Sequence, residues 1–380
     1  MNTNLNDSGI FTPCGDELAL LLNQPEISGA FIRNILKERG MLVSSLDKAI
    51  LNEHLILSFL SPSELDALLN EIKSKEETLK LRTTIHEVTT ADVSLSAIVP
   101  RQSDIKFNES CKDPHGNYII EGNPSFKKIN DETYLLDYSL IRNHITANWI
   151  KSHPKFTGRI ELKKKLGSNK LVIEGYHSSQ ETKDINSIFK TLLKRHFTNQ
   201  NVIKEDSERS LTFGDFTNAE RLSFFMKFTK SFPLENFSFS KVTDLDFKVD
   251  DKLVPSEELR IAWMKDQISK SKISGKSLQE SFLLKERDCW NYIKVWKFEM
   301  KFDISTLDFN GDFNLILEFD GYARQFANSA KFQMSIDKIN TRRFKGSTQK
   351  LQRTLLEKLN SLATTFAENI LNGDHTPAKA

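Results

Sequence analysis

The chain has 380 residues, 38% of them hydrophobic and 27% charged, with a formal net charge of +2. That balance describes a globular chain with room for roughly two to four domains and excludes low-complexity and collagen-like classes. No apolar run approaches the roughly 18–20 residues of a membrane span, and Cys14, Cys111 and Cys289 stand too far apart for a disulfide framework or a CxxC metal site.

Met1 to Gly9 lacks the basic and apolar regions of a signal peptide, so a reducing cytoplasm is the expected location. Helical periodicity begins near Asp16, a candidate N-cap, and continues through Leu18, Leu21 and Leu22. Ser28 caps a second predicted helix with Phe31, Ile32, Ile35 and Leu36 on its apolar side, and Arg39-Gly40 ends it. A short extended piece, Met41 to Val43, leads to a helix with Ile50, Leu51 and Leu55. Ser61-Pro62-Ser63-Glu64 opens a fourth helix, proline being tolerated in the first turn. Residues 1–80 hold seven Lys/Arg against twelve Asp/Glu, an acidic start.

The charged run Lys73 to Lys80 closes this helical segment, and Val88, Val93, Leu95, Ile98 and Val99 suggest strands. From Glu132 to Phe197 a meander followed by a helix is predicted. Tyr134, Leu136, Tyr138 and Leu140 alternate in its first strand. A loop through Trp149 and Pro154 leads to strands containing Ile160/Leu162 and Leu171/Ile173. Ser179 caps a helix with Ile185, Ile188, Phe189 and Leu192 as its buried side. Thr217 to Glu220 is a capping box, and Ser256-Glu257-Glu258 opens another helix past Leu259, Ala262 and Trp263.

The clearest alternation runs from Trp296 to Ile304, apolar and charged residues in strict turn. Asn310-Gly311 reads as a type I′ turn, which would set Ile304 opposite Leu317 and Phe302 opposite Phe319. Phe332, Met334 and Ile336 extend the meander. A long helix follows with Leu351, Leu355, Leu359, Leu362, Phe366 and Ile370 at spacings of three and four, and then a tail, Gly373 to Ala380. The expected fold class is α+β: an N-terminal helical domain over residues 1–82, then antiparallel meander-plus-helix units. The latter divide into an α+β unit at 83–205, a mixed connector at 206–290, and a meander with its long helix at 291–380.

Chemistry is sparsely marked. There is no P-loop, no GxGxxG, and no pair of histidines at helical metal spacing. Glu161 and Lys163 share a strand face next to Asp137, the arrangement in which a PD-(D/E)XK nuclease holds Mg²⁺ and activates water; the competing reading is a solvated face with Leu162 buried. Basic charge is concentrated elsewhere. Residues 151–200 hold eleven Lys/Arg against four Asp/Glu, and residues 331–358 hold eight against two. Lys163, Lys164, Lys165 and Lys170 crowd one hairpin, Lys194 and Arg195 sit on the following helix, and Arg342, Arg343, Lys345 and Lys350 precede or open the long helix. Such clusters fit a polyanion such as double-stranded DNA, or ordinary solubility.

The stretch "FIRNILKERGMLVSSLDKAILNEHL", with Ile35/Leu36, the Arg39-Gly40 break and Lys48 ahead of Ile50/Leu51, resembles the small SAP module, a fold suited to contact with DNA or, with this acidity, with protein. Together with "EGYHSSQETKDINSIF", "FGDFTNAERLSFFMKF" and "SGKSLQESFLLKE", it resembles the b subunit of GAPS-type two-gene anti-phage defence systems. That resemblance implies a non-catalytic subunit without a cofactor of its own. It would bind a PD-(D/E)XK nuclease subunit encoded by the adjacent gene, which would carry the Mg²⁺, in a cytoplasmic hetero-oligomer that engages DNA. Nuclease activity of this chain itself and a purely scaffolding role are the alternatives.

Overall fold

Serine and aspartate side chains start most of the N-terminal helices. In the computed structural model, which describes residues 13–24, 27–142, 155–230, 236–253, 261, 263–264, 271–305, 310–343 and 348–372, the chain divides into two units, Met1–Thr78 and Leu79–Ala380. The expectations for the N-terminal nine residues, Trp149 and Pro154, the helix start at Ser256 to Glu258 with Leu259 and Ala262, Lys345, and the tail from Gly373 fall outside the described residues.

The first unit holds α1 (Gly15–Leu22), α2 (Gly29–Glu38), α3 (Lys48–Ile56) and α4 (Pro62–Glu77). α1 begins ahead of Asp16: Cys14 holds the N-cap position without a side-chain bond, and Asp16 lies in the first turn, where a carboxylate favours the helix dipole. Ser28 Oγ accepts from Phe31 N at 3.2 Å. At Gly40 the backbone turns with φ +81°, a conformation that suits glycine. Ser61 and Glu64 close a reciprocal capping box on α4. Arg39 then locks the α2 end to the α4 start, placing Nε and Nη2 2.6 and 2.7 Å from the two Glu64 carboxylate oxygens. Its Nη1 also donates to Ser58 Oγ at 2.6 Å. That hydrogen bonding pushes the Glu64 carboxyl down to about 2.

The second unit is organised by one antiparallel sheet. Its strands are β1 (Lys80–Glu87), β2 (Tyr118–Glu121), β3 (Lys127–Asn130), β4 (Thr133–Arg142), β5 (Lys155–Lys163), β6 (Lys170–His177), β7 (Phe237–Val249), β8 (Ser271–Ser274), β9 (Ile293–Ser305), β10 (Asn310–Phe319) and β11 (Phe332–Arg343). They lie in the order β2-β4-β5-β6-β1-β11-β10-β9-β7-β8, with β3 also on β4. The sequence ranges 83–205, 206–290 and 291–380 all contribute strands. Single helical turns occur at α5 (Leu95–Ile98), α6 (Phe107–Ser110), α9 (Phe282–Lys285) and α10 (Tyr322–Gln325), and the long helices are α7 (Gln180–Asn199), α8 (Asn218–Lys230) and α11 (Thr348–Leu371). The architecture is α+β.

Period 2 gives the sheet two different faces. On one, Phe298, Phe302, Phe313, Leu317 and Met334 form the larger core with Phe225 of α8 and Leu355, Leu356 and Leu359 of α11. On the other, Leu136, Ile160, Leu162, Leu171 and Ile173 form a second core with α7. α7 buries Ile185, Phe189, Leu193 and Phe197, a strict i, i+4 stripe, which turns the expected Ile188 outward to 40% exposure. Residues 95–98, expected as strand, form a helical turn instead.

The C-terminal hairpin has a different register from the expected one. Asn310 pairs with Ser305 and Gly311 with Ile304, so both are strand residues and the connection falls at 306–309, outside the described residues. Phe302 consequently faces Phe313 rather than Phe319, and their rings stack with centroids 5.6 Å apart. The two registers differ by an even number of residues. Alternation fixes the face and not the partner, which is why both registers satisfy the pattern.

The unexpected strand is β1, the strand at the centre. It carries Thr84 and His86, buried under α7, among its apolar positions. Among the described residues His86 Nδ1 and His177 Nε2 find no hydrogen-bond partner. Burial pushes the His86 imidazole down to about 4, opposed by Glu208 and aided by Lys194, Lys190 and Lys331. Burial, then Arg82, Lys80 and Lys183, push His177 well below its ordinary value.

Register and burial are each open to measurement. In a double-mutant cycle, Phe302→Leu with Phe313→Leu shows a coupling of about 0.5–1.5 kcal/mol, whereas Phe302→Leu with Phe319→Leu is near additive; urea unfolding measures both. An unfolded histidine titrates near 6.5 and these folded ones lower, so the unfolded chain binds more protons between those values. Stability is therefore complete above about pH 6.5 and falls as the pH drops toward 4, a loss that His86→Gln reduces when urea midpoints at pH 7 and pH 5 are compared.

Candidate functional site

The α11 face of β5 and β6 is polar where the rest of that face is apolar. Cross-strand pairing sets Glu161 opposite Glu174, and both side chains are buried, at 3% and 5% exposure. Two adjacent carboxylates under a helix need cations and donors. Lys163 supplies the first, 3.0 Å from Glu161 Oε2 and 2.7 Å from Glu174 Oε2. Arg159 Nη1 donates to Glu161 Oε1 at 3.3 Å. Tyr176 Oη donates to Glu174 Oε2 at 3.1 Å, and Asn360 of α11 gives its amide to Glu174 Oε1 at 2.9 Å. Thr83 of β1 donates to Asn360 Oδ1 at 3.0 Å, which closes a chain from sheet to helix and back to sheet.

Electrostatics follow from that packing. Burial lowers the Lys163 ammonium, but Glu174 and Glu161 outweigh it and the net shift is upward. Glu357, on the same side of α11, is raised by burial and then by the two carboxylates. Arg353, one turn earlier, is lowered by burial and by Arg159.

Asp137, Glu161 and Lys163 do share one sheet face, as period 2 requires. They do not form an open metal site. Both Asp137 oxygens are engaged by Arg159, at 2.6 and 3.0 Å, and each Glu161 oxygen faces a cation. Mg²⁺ takes oxygen ligands, and the oxygens it would take here are those paired with Arg159 and Lys163. Among the described residues no three His, Cys, Asp or Glu side chains converge as metal ligands.

The basic residues separate into engaged and exposed ones. Lys163 belongs to the cluster above. Lys164 is buried at 3% exposure and donates to Ala91 O at 2.6 Å. Lys170 pairs with Glu368 at 2.6 Å and Lys194 with Glu208 at 3.0 Å. Lys165, Arg195 and Lys350 are exposed. Arg342 and Arg343 are the last two residues of β11, Arg343 opposite Asn310, and Lys345 lies outside the described residues. Lys170 meets the C-terminal end of α11, and Lys350 sits at its N-terminal end. Eighteen residues of helix between positions 350 and 368 put the two zones roughly 27 Å apart at 1.5 Å per residue.

The face of β7, β9, β10 and β11 opposite α11 is acid-rich. Register places Asp244, Asp246, Glu299, Asp303, Asp312, Glu318 and Asp337 there, with Lys241, Lys272, Lys297 and Lys301. Burial, then Asp244, raise the Glu299 carboxyl. A phosphate backbone is repelled by such a surface.

Sequence reasoning missed Glu174, Tyr176, Asn360 and Thr83. Glu174 alone gave a signal, a carboxylate flanked by Ile173 and Gly175 in a strand.

Residues 16–78 match the family model of the GAPS4b protein N-terminal domain. Those residues are α1 to α4, so the GAPS-type resemblance agrees with the match over the first unit. No curated protein matches the chain. The crystal structure of DynU16, a protein of the dynemicin biosynthetic locus, aligns over 77% of this chain and 98% of its own at 10% identity and a TM-score of 0.19, a likeness too slight to carry an argument. Among the described residues no helix is long and apolar enough to cross a membrane.

The cluster yields a stability prediction. Glu174→Gln removes the buried carboxylate that ties half-buried Lys163, Tyr176 and Asn360 together and destabilises by about 1–3 kcal/mol. Asp137→Asn, at the exposed edge, costs less than about 1 kcal/mol. Chemical denaturation of the two variants beside the parent distinguishes the cases.

Proposed function

We propose that this chain is the non-catalytic subunit of a two-gene anti-phage defence nuclease: it holds a nuclease subunit encoded by the neighbouring gene and helps that subunit grip double-stranded DNA. The observation that carries the non-catalytic reading is the closure of the candidate catalytic trio. Glu161 and Lys163 neutralise one another beneath α11, and Asp137 is taken by Arg159. The match of residues 16–78 to the GAPS4b protein N-terminal domain supports the defence setting.

The two units suggest a division of labour. The first is acidic and leaves Leu42, Leu57 and Phe59 at 86%, 92% and 77% exposure. Large apolar side chains standing in water favour a protein partner over a phosphate backbone, so the nuclease subunit docks here. DNA is met by the second unit through Lys165 of the β5–β6 connection, Arg195 of α7 and Lys350 in the first turn of α11, all three exposed.

The experiment uses the two-subunit complex. Asp137→Asn leaves DNA cleavage unchanged; a large loss returns catalysis to this chain. Lys165→Glu with Arg195→Glu weakens duplex retention at low salt and reduces the salt slope by about one for each phosphate no longer neutralised. Unaltered retention removes the DNA half of the proposal. Leu57→Glu with Phe59→Glu releases the nuclease subunit in co-purification, and an intact complex removes the docking half.

A further inference from the structure

The sheet opens at its centre. β1 pairs with β11 at Lys80↔Ser335 and Leu81↔Met334, and the two strands then part. Beyond that point Ile85 exchanges both main-chain hydrogen bonds with Arg209, each 2.8 Å, and Phe332 N donates to Leu211 O at 2.8 Å. Residues 207–212 thus fill the gap between the parted strands. α11 crosses above it. The first half of that helix meets the sheet with Leu355, Leu356 and Leu359, whereas the turns over the gap present Ala363, Thr364 and Ala367. The shorter side chains do not reach the floor, and a cavity of about 560 Å³ remains. Small-molecule sites are commonly about 300–1,000 Å³.

We propose that this cavity binds a small uncharged molecule with an apolar body and at least one hydrogen-bond donor. The apolar body follows from the walls, where Leu81, Ile85, Leu211 and Phe332 face the two alanines. The absence of charge follows from the mouth. Three of its four carboxylates are paired with cations, Glu87 with Arg209 at 3.1 Å, Glu208 with Lys194 at 3.0 Å and Glu368 with Lys170 at 2.6 Å, and the fourth, Asp215, accepts from Thr212 N at 2.6 Å. An anion entering there meets these carboxylates and must break an ion pair to reach a cation, and a cation must compete with the partners already in place.

The donor follows from where the hydroxyl protons point. Thr83 donates to Asn360 Oδ1 at 3.0 Å, Thr364 to Asn360 O at 3.0 Å, Ser207 to Lys204 O at 2.7 Å, and Ser210 to Thr84 Oγ1 at 3.3 Å. With their protons committed, those oxygens present lone pairs. A ligand that satisfies them brings N–H or O–H groups. The test of the cavity uses neither DNA nor the nuclease subunit, so its outcome is independent of the function proposed above.

The test is fluorescence titration of the full chain with 1-aminoanthracene, an uncharged three-ring amine whose emission rises in apolar surroundings. Saturable one-site binding is expected in the parent. Ala363→Leu with Ala367→Leu fills the cavity from the helix side and weakens binding at least tenfold, with a thermal midpoint equal to or above that of the parent. Should that variant not fold, Leu211→Trp fills the same space from the opposite wall and gives the same loss. The anionic dye 1-anilinonaphthalene-8-sulfonate does not displace the amine. The absence of saturable binding in the parent, undiminished binding in a folded filled variant, or displacement by the sulfonate each overturns the proposal.

Discussion

Everything in the second unit depends on β1 reaching both of its neighbours. On one edge it pairs with β6 along its whole length, from Lys80↔His177 to Glu87↔Lys170. On the other it holds β11 through two residue pairs. Without that strand the β4-β5-β6 meander with α7 and the β9-β10-β11 meander with α11 would be separate sheets, each with an open edge inviting aggregation. The hydrogen bond from Thr83 to Asn360 and the bond from Asn360 to Glu174 lay a second tie over the first. Main chain joins β1 to β6 and β11, and side chains join it to β6 through α11.

Burying carboxylates next to one another is costly unless every lone pair is matched. Glu161 and Glu174 show what that matching requires here: a lysine shared between them, an arginine, a tyrosine hydroxyl and an amide carried in on a helix nearly two hundred residues later. Such a cluster holds α11 at one rotation and one height over the sheet, since a polar group displaced from it would be left unpaired. The same matching engages both oxygens of Glu161 with cations, Arg159 on one and Lys163 on the other.

The alternating strands were legible in the sequence because one of their faces is apolar. Trp296 to Ile304 and Leu136 to Leu140 lie as the pattern requires, with Phe298, Phe302, Leu136 and Tyr138 buried. β1 was illegible because helices cover both faces and its burial is offset by hydrogen bonds: Thr84 and His86 are hidden although they are polar. The site was half legible. Period 2 placed Glu161 and Lys163 together, but their burial depends on α11, a contact distant in sequence. Counting lysines located the basic zones and could not show that Lys164 points inward to Ala91 O. The hairpin register failed because a strongly turn-forming dipeptide, Asn310-Gly311, is used inside a strand.

The short seam between β1 and β11 has a mechanical consequence. Two residue pairs join what eight join on the other side of β1, so the sheet is most compliant along that line. Across the rest of the opening the two meanders are joined through residues 207–212, by the paired bonds of Arg209 with Ile85 and the bond from Phe332 to Leu211. A connecting segment outside the named strands thereby carries part of the sheet's continuity, and a substitution in it acts on both meanders at once.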